Sequence, residues 1–352
     1  MNIIECKNTS FLPFYLYFFI TFAEIVYTMD IKEIIQKPIK AEFAQFVNYY
    51  SEQFKSDVPL LGSALAHVAG STGKMMRPML LLLAAKSCGN ITASSYSAAA
   101  ALELLHTASL LHDDVVDESD MRRGMPSLNA LYSNRIAILT GDFLFSSSLY
   151  NASLTGNIDI IEGLSQLGRT LSRGEMLQLQ LQRQGGFNEA NYFEVIRCKT
   201  ASLFSCCGRF GALSAGVSKE CAAAFARFGE ILGICFQIKD DIFDYFDTNI
   251  GKPTGSDIRE GKVTLPALFV LEKSNDENVK NIKDKLNSGT TLEEEQIAYL
   301  IEQAKSKGGI EYALEKIEEF RREALEILPV DIPEDCRNAF ISYLDYVISR
   351  EK

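Results

Sequence analysis

The sequence predicts an all-α protein, a single large bundle of helices, and three observations support this prediction. Apolar residues recur at helical spacing almost continuously from Asp30 onward, and no alternating pattern of useful length indicates a strand. Two long stretches, residues 94–118 and 218–246, carry small or apolar residues on all sides, which is typical of helices buried in a core. No repeat, low-complexity segment or long linker divides the chain, so we expect one domain.

Turn signals separate the predicted helices along the chain. Residues 94–118 predict the first buried helix, and residues 157–185 predict a long amphipathic helix. Ser218 is a plausible N-cap of the second buried helix, and residues 288–309 predict a further amphipathic helix. Clusters of Gly, Pro, Asn and Asp mark the turns, at "KSCGN", "RGMPS", "QGGFN", "KPTGSD", "KGG" and "LPVDIPED".

Composition bounds the class of protein. The 352 residues are 47% hydrophobic and 23% charged, which is ordinary for a soluble globular protein with a large core. A net charge of -11 argues against a protein that coats nucleic acid or an anionic membrane surface. Eight cysteines without a CxxC pair, beside only three histidines, predict reduced thiols in the cytoplasm and argue against a zinc site.

The N-terminal segment departs from this pattern. The stretch from Ser10 to Met29 is apolar and aromatic, and it is long enough for a membrane span or a signal anchor. It contains Pro13 and Glu24, and the amphipathic pattern starts only at Met29. We expect residues 1–28 to be an artefact of start-site choice and the folded domain to span residues 29–352. The alternative is membrane association through residues 10–28.

Two matched acidic motifs mark the ends of the two buried helices. Residues at positions i and i+4 of a helix share a face, so the first and last aspartates of each motif point the same way. Carboxylates near a helix C-terminus are disfavoured by the macrodipole, and a single motif would fit a solvated helix end. Two matched motifs without His or Cys companions favour Mg²⁺, with several ions and a diphosphate between clusters that face each other across a cavity. The motifs are Asp113, Asp114 and Asp117, and Asp240, Asp241 and Asp244.

Basic residues accompany the acids and predict two anionic sites, one bridged by metal and one bound directly by cations. Arg forks and Lys point charges are the usual partners of phosphate, although each of these residues taken singly fits a surface charge. Glu118 and Asp120 are expected to be solvated charges. The basic candidates are Lys74 and Arg77 after a Gly turn, Arg122 and Arg123 after the first motif, Lys199 beside Thr200, Lys252 and Lys262.

At these motifs the sequence resembles the trans-type polyprenyl diphosphate synthases. The resemblance covers about residues 60 to 270 and implies the isoprenoid synthase fold, a helical bundle around a central cavity. It implies that residues 29–352 form a catalytic domain that condenses isopentenyl diphosphate onto an allylic diphosphate, and that the protein is a homodimer. The matching pieces are "GKMMRP", "ELLHTASLLHDDVVDESDMRRG", "GDFLFS", "KTASLF", "FQIKDDIFDY" and "GKPTGSDIREGKVTLP".

The resemblance also implies a role for each motif residue. The six motif aspartates would hold Mg²⁺ on the allylic diphosphate. For His106, a core histidine without a ligand role is the alternative. The same diphosphate would be contacted by Arg122, Lys199, Thr200, Gln237, Lys252 and Lys262. Isopentenyl diphosphate would be held by Lys74, Arg77, His106 and Arg123.

Small residues just before the first motif suggest a long product. In the family the product grows down a tunnel beside this helix, and a large aromatic residue at this position closes the tunnel. This chain has Ala108 and Ser109 there, with Leu105 and Ala101 deeper in the tunnel. One helical turn rises about 5 Å, close to one isoprene unit. We therefore expect a long-chain all-trans product of quinone side-chain length, handed to a membrane enzyme. Phe143, with Phe145, would form the tunnel floor, and tight helix packing is the alternative role of the small residues.

Three other functions share parts of this pattern. A short-chain synthase that makes farnesyl or geranylgeranyl diphosphate would differ only in its tunnel. A class I terpene cyclase also carries DDxxD but lacks the isopentenyl site, so Lys74, Arg77 and Arg123 favour chain elongation. A non-catalytic partner subunit would typically have lost acidic residues, and both motifs are complete here.

Overall fold

The computed structural model describes residues 31–71, 73–246 and 254–350. Both predictions for the N-terminal segment, artefact or anchor, therefore concern residues outside the described part. Lys252, a candidate diphosphate ligand, also lies outside it.

The described residues form an all-α architecture, as predicted. Short 3₁₀ turns follow the first two helices, and a π-helical segment spans Arg197–Ala201. The first nine helices are α1 (Ile31–Gln36), α2 (Lys40–Ser51), α3 (Pro59–Gly70), α4 (Met76–Cys88), α5 (Ala93–Val116), α6 (Leu128–Leu131), α7 (Asn134–Leu154), α8 (Ile158–Gln184) and α9 (Glu189–Ile196). The others are α10 (Ser202–Ser214), α11 (Lys219–Phe243), α12 (Ser256–Arg259), α13 (Leu265–Lys273), α14 (Glu277–Asn287), α15 (Glu294–Ser306), α16 (Gly309–Ile327) and α17 (Glu334–Ser349).

The two helices predicted to be buried, α5 and α11, lie in the core. Helix α5 packs along α7, and α10 packs between α4 and α11. Small residues permit the close approach, since a Cβ atom on Gly229 of α11 would clash with the carbonyl oxygen of Phe204 in α10. Ser218 caps α11 through a hydrogen bond from the Cys221 amide, which confirms the predicted N-cap.

Helix α11 also has the length and apolar composition of a membrane span, the one helix of the described residues that does. Its buried residues belong to the same hydrophobic core as those of α5, and core helices commonly meet that criterion. Its apolar character therefore follows from its central position in the bundle.

A two-stranded hairpin directly after α5 departs from the prediction of helices alone. Strands β1 (Met121–Arg122) and β2 (Met125–Pro126) pair antiparallel. The turn residues Arg123 and Gly124 have φ angles of +52° and +77°. Two consecutive residues with positive φ are typical of the tight turns that match strand twist. The turn directs the two neighbouring arginines, Arg122 and Arg123, to different partners.

Candidate active site

The first acidic motif lies at the C-terminal end of α5, and its three carboxylates occupy different environments. Asp114 is buried and accepts a hydrogen bond from Nε of Arg122 at 2.6 Å. Asp113 is half-buried, and Asp117, the C-cap residue, is exposed. Burial raises the pKa of Asp113 to about 6, and the nearby charge of Glu175 adds to the rise. The motif thus presents Asp113 and Asp117 toward solvent-accessible space.

The second motif ends α11 in the same way, with Asp244 as the C-cap residue. Asp240 accepts a hydrogen bond from Arg350 at 2.6 Å. Asp241 is buried and accepts from the Tyr192 hydroxyl at 2.6 Å and from Nε2 of Gln237 at 2.8 Å. Burial, with the charge of Asp257 next, raises the pKa of Asp241 to about 8.

Asp244 is satisfied by the segment that begins α12. Its two carboxylate oxygens accept hydrogen bonds from the backbone amides of Ser256 at 3.0 Å and Asp257 at 3.1 Å. The Ser256 hydroxyl donates a further bond at 2.7 Å. All three carboxylates of the second motif are therefore held by protein donors.

The donor chemistry of the first motif fits a hard divalent cation. Asp113 and Asp117 lie one helical turn apart and, within the described residues, accept no side-chain hydrogen bond. A half-buried carboxylate without a donor, such as Asp113, is costly, and Mg²⁺ prefers oxygen ligands. No group of three or more His, Cys, Asp or Glu side chains in the described part of the chain is arranged to hold a metal by itself. Asp113 and Asp117 would supply the first protein ligands, while the second motif would exchange its present donors.

Residues predicted to contact the allylic diphosphate converge on one cavity beside Asp241. Lys199 and Thr200 belong to the π-helical segment, and such segments frequently mark functional sites. The Thr200 hydroxyl donates to Oε1 of Gln237 at 2.7 Å, so a hydrogen-bonded chain runs from Thr200 through Gln237 to Asp241. Five predicted site residues line the cavity, namely Lys199, Thr200, Gln237, Asp241 and Lys262.

A second cationic cluster lies around the N-terminus of α4. Arg77 donates to Nε2 of His106 at 2.8 Å. Burial and the charges of Arg77 and Arg123 lower the pKa of His106 well below its usual range, so the ring is neutral. Arg123 donates to the Ser71 carbonyl at 2.8 Å, and its guanidinium lies against Gly73. The hairpin thus places Arg122 against the first motif and Arg123 at this cluster.

Lys74 is exposed and donates to the Tyr346 hydroxyl of α17 at 3.0 Å. Its direct contacts therefore do not join the arginine cluster. Its assignment to isopentenyl diphosphate stays a prediction, as does that of His106, whose contact is with Arg77.

The predicted chain-length residues lie in the core. Ala101, Leu105 and Ala108 are buried, and Phe143 of α7 packs against the core. Ser109 is half-buried, and its hydroxyl donates to the His106 carbonyl at 2.9 Å. None of the five lines the cavity beside Asp241. Phe145 is 40% exposed, so it does not form a tunnel floor within a single chain.

Several polar residues at the site were missed by sequence reasoning. Glu175 and Gln178 contact Lys199, and their only signal is a pair of polar residues three apart on an amphipathic helix. Tyr192 and Arg350 bind the second motif without any local signal. Glu103, three residues before His106, is buried, and within the described residues its Oε2 atom lacks a hydrogen-bond partner.

Comparison with known proteins places this geometry in context. The profile of the family described as Polyprenyl synthetase matches residues 58–304. An all-trans-nonaprenyl-diphosphate synthase (geranyl-diphosphate specific) from Rhodobacter capsulatus is 34% identical over 326 residues, 92% of this chain and 99% of the relative.

Two solved structures show the same architecture. A geranylgeranyl pyrophosphate synthase from Bacteroides thetaiotaomicron is 42% identical, with a TM-score of 0.79 and coverage of 92% of this chain and 100% of that one. A polyprenyl synthase from Caulobacter crescentus, complexed with calcium and isoprenyl diphosphate, is 30% identical, with a TM-score of 0.83 and coverage of 92% and 98%.

Proposed function

The chain belongs to the polyprenyl synthetase family and is a prenyltransferase, and we propose that it condenses isopentenyl diphosphate onto an allylic diphosphate in a Mg²⁺-dependent reaction. The observation that carries the proposal is a cavity lined by Asp241 of the second motif, Lys199 and Lys262. The charges of Lys199 and Lys262 also interact with Asp113 and Asp117 of the first motif, and Arg77 of the separate arginine cluster acts on Asp240. The Caulobacter relative binds calcium and isoprenyl diphosphate, which supports a metal and diphosphate site here.

The allylic half of the site would stabilise a leaving diphosphate. Asp113 and Asp117, with the second motif, would hold Mg²⁺, which supplies electrostatic stabilisation of the charge on the leaving group. Lys199, Thr200 and Lys262 place one hydroxyl and two ammonium groups around the same cavity. Preorganised donors of this kind act where negative charge develops.

The other half would bind isopentenyl diphosphate. Arg77 is half-buried and Arg123 is exposed, and both lie near neutral His106, so an anion there would meet two guanidinium groups. The planar guanidinium group of arginine can donate two parallel hydrogen bonds to diphosphate oxygens. The apolar core beneath α5 would keep water from the allylic cation.

The proposed product is a long all-trans chain that is passed to a membrane enzyme. The small side chains of Ala108 and Ser109 support this proposal, as does the likeness to the nonaprenyl synthase. The likeness to a geranylgeranyl synthase makes a short-chain product the second candidate. We place the enzyme in the cytoplasm, which suits its reduced cysteines.

We further propose a homodimer formed through the outward face of α7. One face of this helix packs on α5, and the opposite face exposes large apolar side chains to solvent. An exposed apolar face of this kind is typical of a protein interface. In a two-fold dimer the same face of each copy packs against the other, so a second copy of this chain can bury it. The exposed residues are Ile138, Leu139, Phe145, Leu149, Tyr150 and Leu154.

The direct test is incubation of the purified protein alone with labelled isopentenyl diphosphate, Mg²⁺ and a series of allylic primers, followed by chromatography. Long labelled prenyl products that vanish with a chelator are expected. Consumption of an allylic diphosphate without incorporation of label would indicate a terpene cyclase. No turnover without a homologous subunit would indicate a non-catalytic partner.

A further inference from the structure

We propose that Glu175 and Gln178 of α8 are positioning residues that hold the Lys199 ammonium at the allylic diphosphate site before substrate arrives. The inference rests on the proposed function, in which Lys199 contacts that diphosphate. Neither residue belongs to the acidic motifs, and neither needs to touch the substrate. Their role is to aim Lys199.

The backbone brings α8 and the π-helical segment unusually close at this point. A Cβ atom on Gly174 would lie 2.7 Å from Cβ of Cys198 and 2.9 Å from Cγ of Lys199. Only glycine permits this approach without a shift, because such distances are shorter than van der Waals contact. The stem of Lys199 therefore lies across α8 at Gly174, next to Glu175 in sequence.

Two acceptors from α8 hold the end of the side chain. Nζ of Lys199 lies 2.7 Å from Oε1 of Glu175 and 3.0 Å from Oε1 of Gln178. These acceptors are three residues apart, so they lie on one face of the helix. The Lys199 side chain is 24% exposed, which limits competition from water.

One N–H group of the Lys199 ammonium remains available for the substrate. A Lys ammonium has three N–H donors and no acceptor. Glu175 and Gln178 take two of them, so the third can reach an anion in the cavity that Lys199 lines. A long flexible side chain that is already ordered loses less entropy when it binds, which is the general benefit of preorganisation.

The position of Glu175 also places Lys199 between the two motifs. The negative charge of Glu175 acts on Asp113 of the first motif, while Thr200, the next residue after Lys199, bonds to Gln237 beside Asp241 of the second. An ammonium group held here would lie next to a diphosphate bound between the two motifs. An unrestrained Lys199 would sample solvent positions instead.

The test is a double-mutant cycle with separate KM values for the two substrates, on full-length protein. Glu175→Ala is expected to raise the KM for the allylic diphosphate about tenfold and to leave that for isopentenyl diphosphate within about twofold. Lys199→Met should show the same split. If Glu175 acts through Lys199, the double variant should be no worse than Lys199→Met alone. Additive losses would overturn the proposal.

Three further variants complete the design. Glu175→Gln keeps an acceptor, so its KM for the allylic diphosphate should stay close to that of the wild type. Gln178→Ala removes one acceptor and should raise that KM in part. Asp159→Asn is the matched control, because it removes the 2.6 Å pair with Lys219 at the other end of α8. Its KM values should equal those of the wild type. Thermal unfolding checks that each variant is folded.

A binding arm separates failure of the inference from failure of the proposed function. Calorimetry with an unreactive allylic thiolodiphosphate and Mg²⁺ should show about tenfold weaker binding by Glu175→Ala. If the wild type transfers no prenyl group, the proposed function fails, and binding still tests the role of Glu175. If the wild type is active and Glu175→Ala binds the thiolodiphosphate normally, only the inference fails.

Discussion

The guanidinium of Arg350 donates a 2.6 Å hydrogen bond to Oδ1 of Asp240, which joins the end of α17 to the end of α11. It also lies over the Phe236 ring, 3.9 Å from the centroid, and its side chain is only 11% exposed. Burial raises the pKa of Asp240, and the charge of Arg350 opposes that rise. The second motif thus contains a protein cation at its first carboxylate.

Replacement of Arg350 should make the stability of the folded protein depend more strongly on Mg²⁺. Arg350→Gln should lower the free energy of unfolding without metal by about 1–2 kcal/mol, because a partly buried carboxylate loses its charged partner. Added Mg²⁺ should stabilise the variant more than the wild type, since Asp240 is then available to the ion. Chemical denaturation with and without Mg²⁺ measures both effects, with Arg350→Lys as the control. Equal stabilisation of variant and wild type by Mg²⁺ would contradict this account.

Loss of either motif's first aspartate should abolish turnover. Asp113→Ala and Asp240→Ala should each lower kcat by about 100-fold or more, because stabilisation of the leaving diphosphate is lost, while circular dichroism stays helical. Asp120→Ala is the matched control, since Asp120 is an exposed acid close to the first motif. Near-normal rates in both motif variants would refute the two-cluster mechanism.

The raised pKa of Asp113 predicts that its carboxylate lowers the stability of the folded protein at neutral pH. A carboxyl group whose folded pKa is about 6 instead of 3.8 binds its proton more tightly in the folded state, so stability falls as pH rises from about 4 to 6. Asp113→Asn should therefore stabilise the metal-free protein by about 1–2 kcal/mol at pH 7.5, after allowance for solvent screening. The gain should shrink by pH 4. Urea denaturation in chelator at both pH values decides the sign, and a larger gain at pH 4 would contradict it.

A bulky side chain beside the first motif should shorten the product. Ala108 is 1% exposed in α5, so Ala108→Tyr would add a ring about one turn before Asp113, where the proposed tunnel runs. Chromatography of the prenyl products should show loss of several isoprene units. Ala108→Ser, which adds little volume, should leave the length unchanged. An active Ala108→Tyr enzyme with the original product length would show that growth proceeds elsewhere.

Charges on the outward face of α7 should separate the dimer. Leu149→Lys combined with Phe145→Lys should change the sedimenting species from two chains to one, because burying two unpaired ammonium groups in an interface is unfavourable. Val330→Lys is the control, since Val330 is 76% exposed outside this helix. A wild-type protein that sediments as a monomer would overturn the dimer proposal.

Much of this protein was predictable from local pattern. Helical periodicity predicted the all-α class, and the apolar runs before each DDxxD motif predicted that α5 and α11 would be buried. The spacing of the aspartates and the order of the basic motifs identified the family that the comparisons confirm. These properties are readable because each depends on residues a few positions apart.

The tertiary structure decided which partner each charge has. The left-handed turn at Arg123 separates two adjacent arginines, and Gly174 lets α8 reach Lys199. Arg350 meets Asp240 across 110 residues of sequence. Such pairings depend on how helices pack and how closely backbones approach. Periodicity in the sequence specifies which face of a helix is buried, whereas the polar groups that meet there are set by the packing of distant segments.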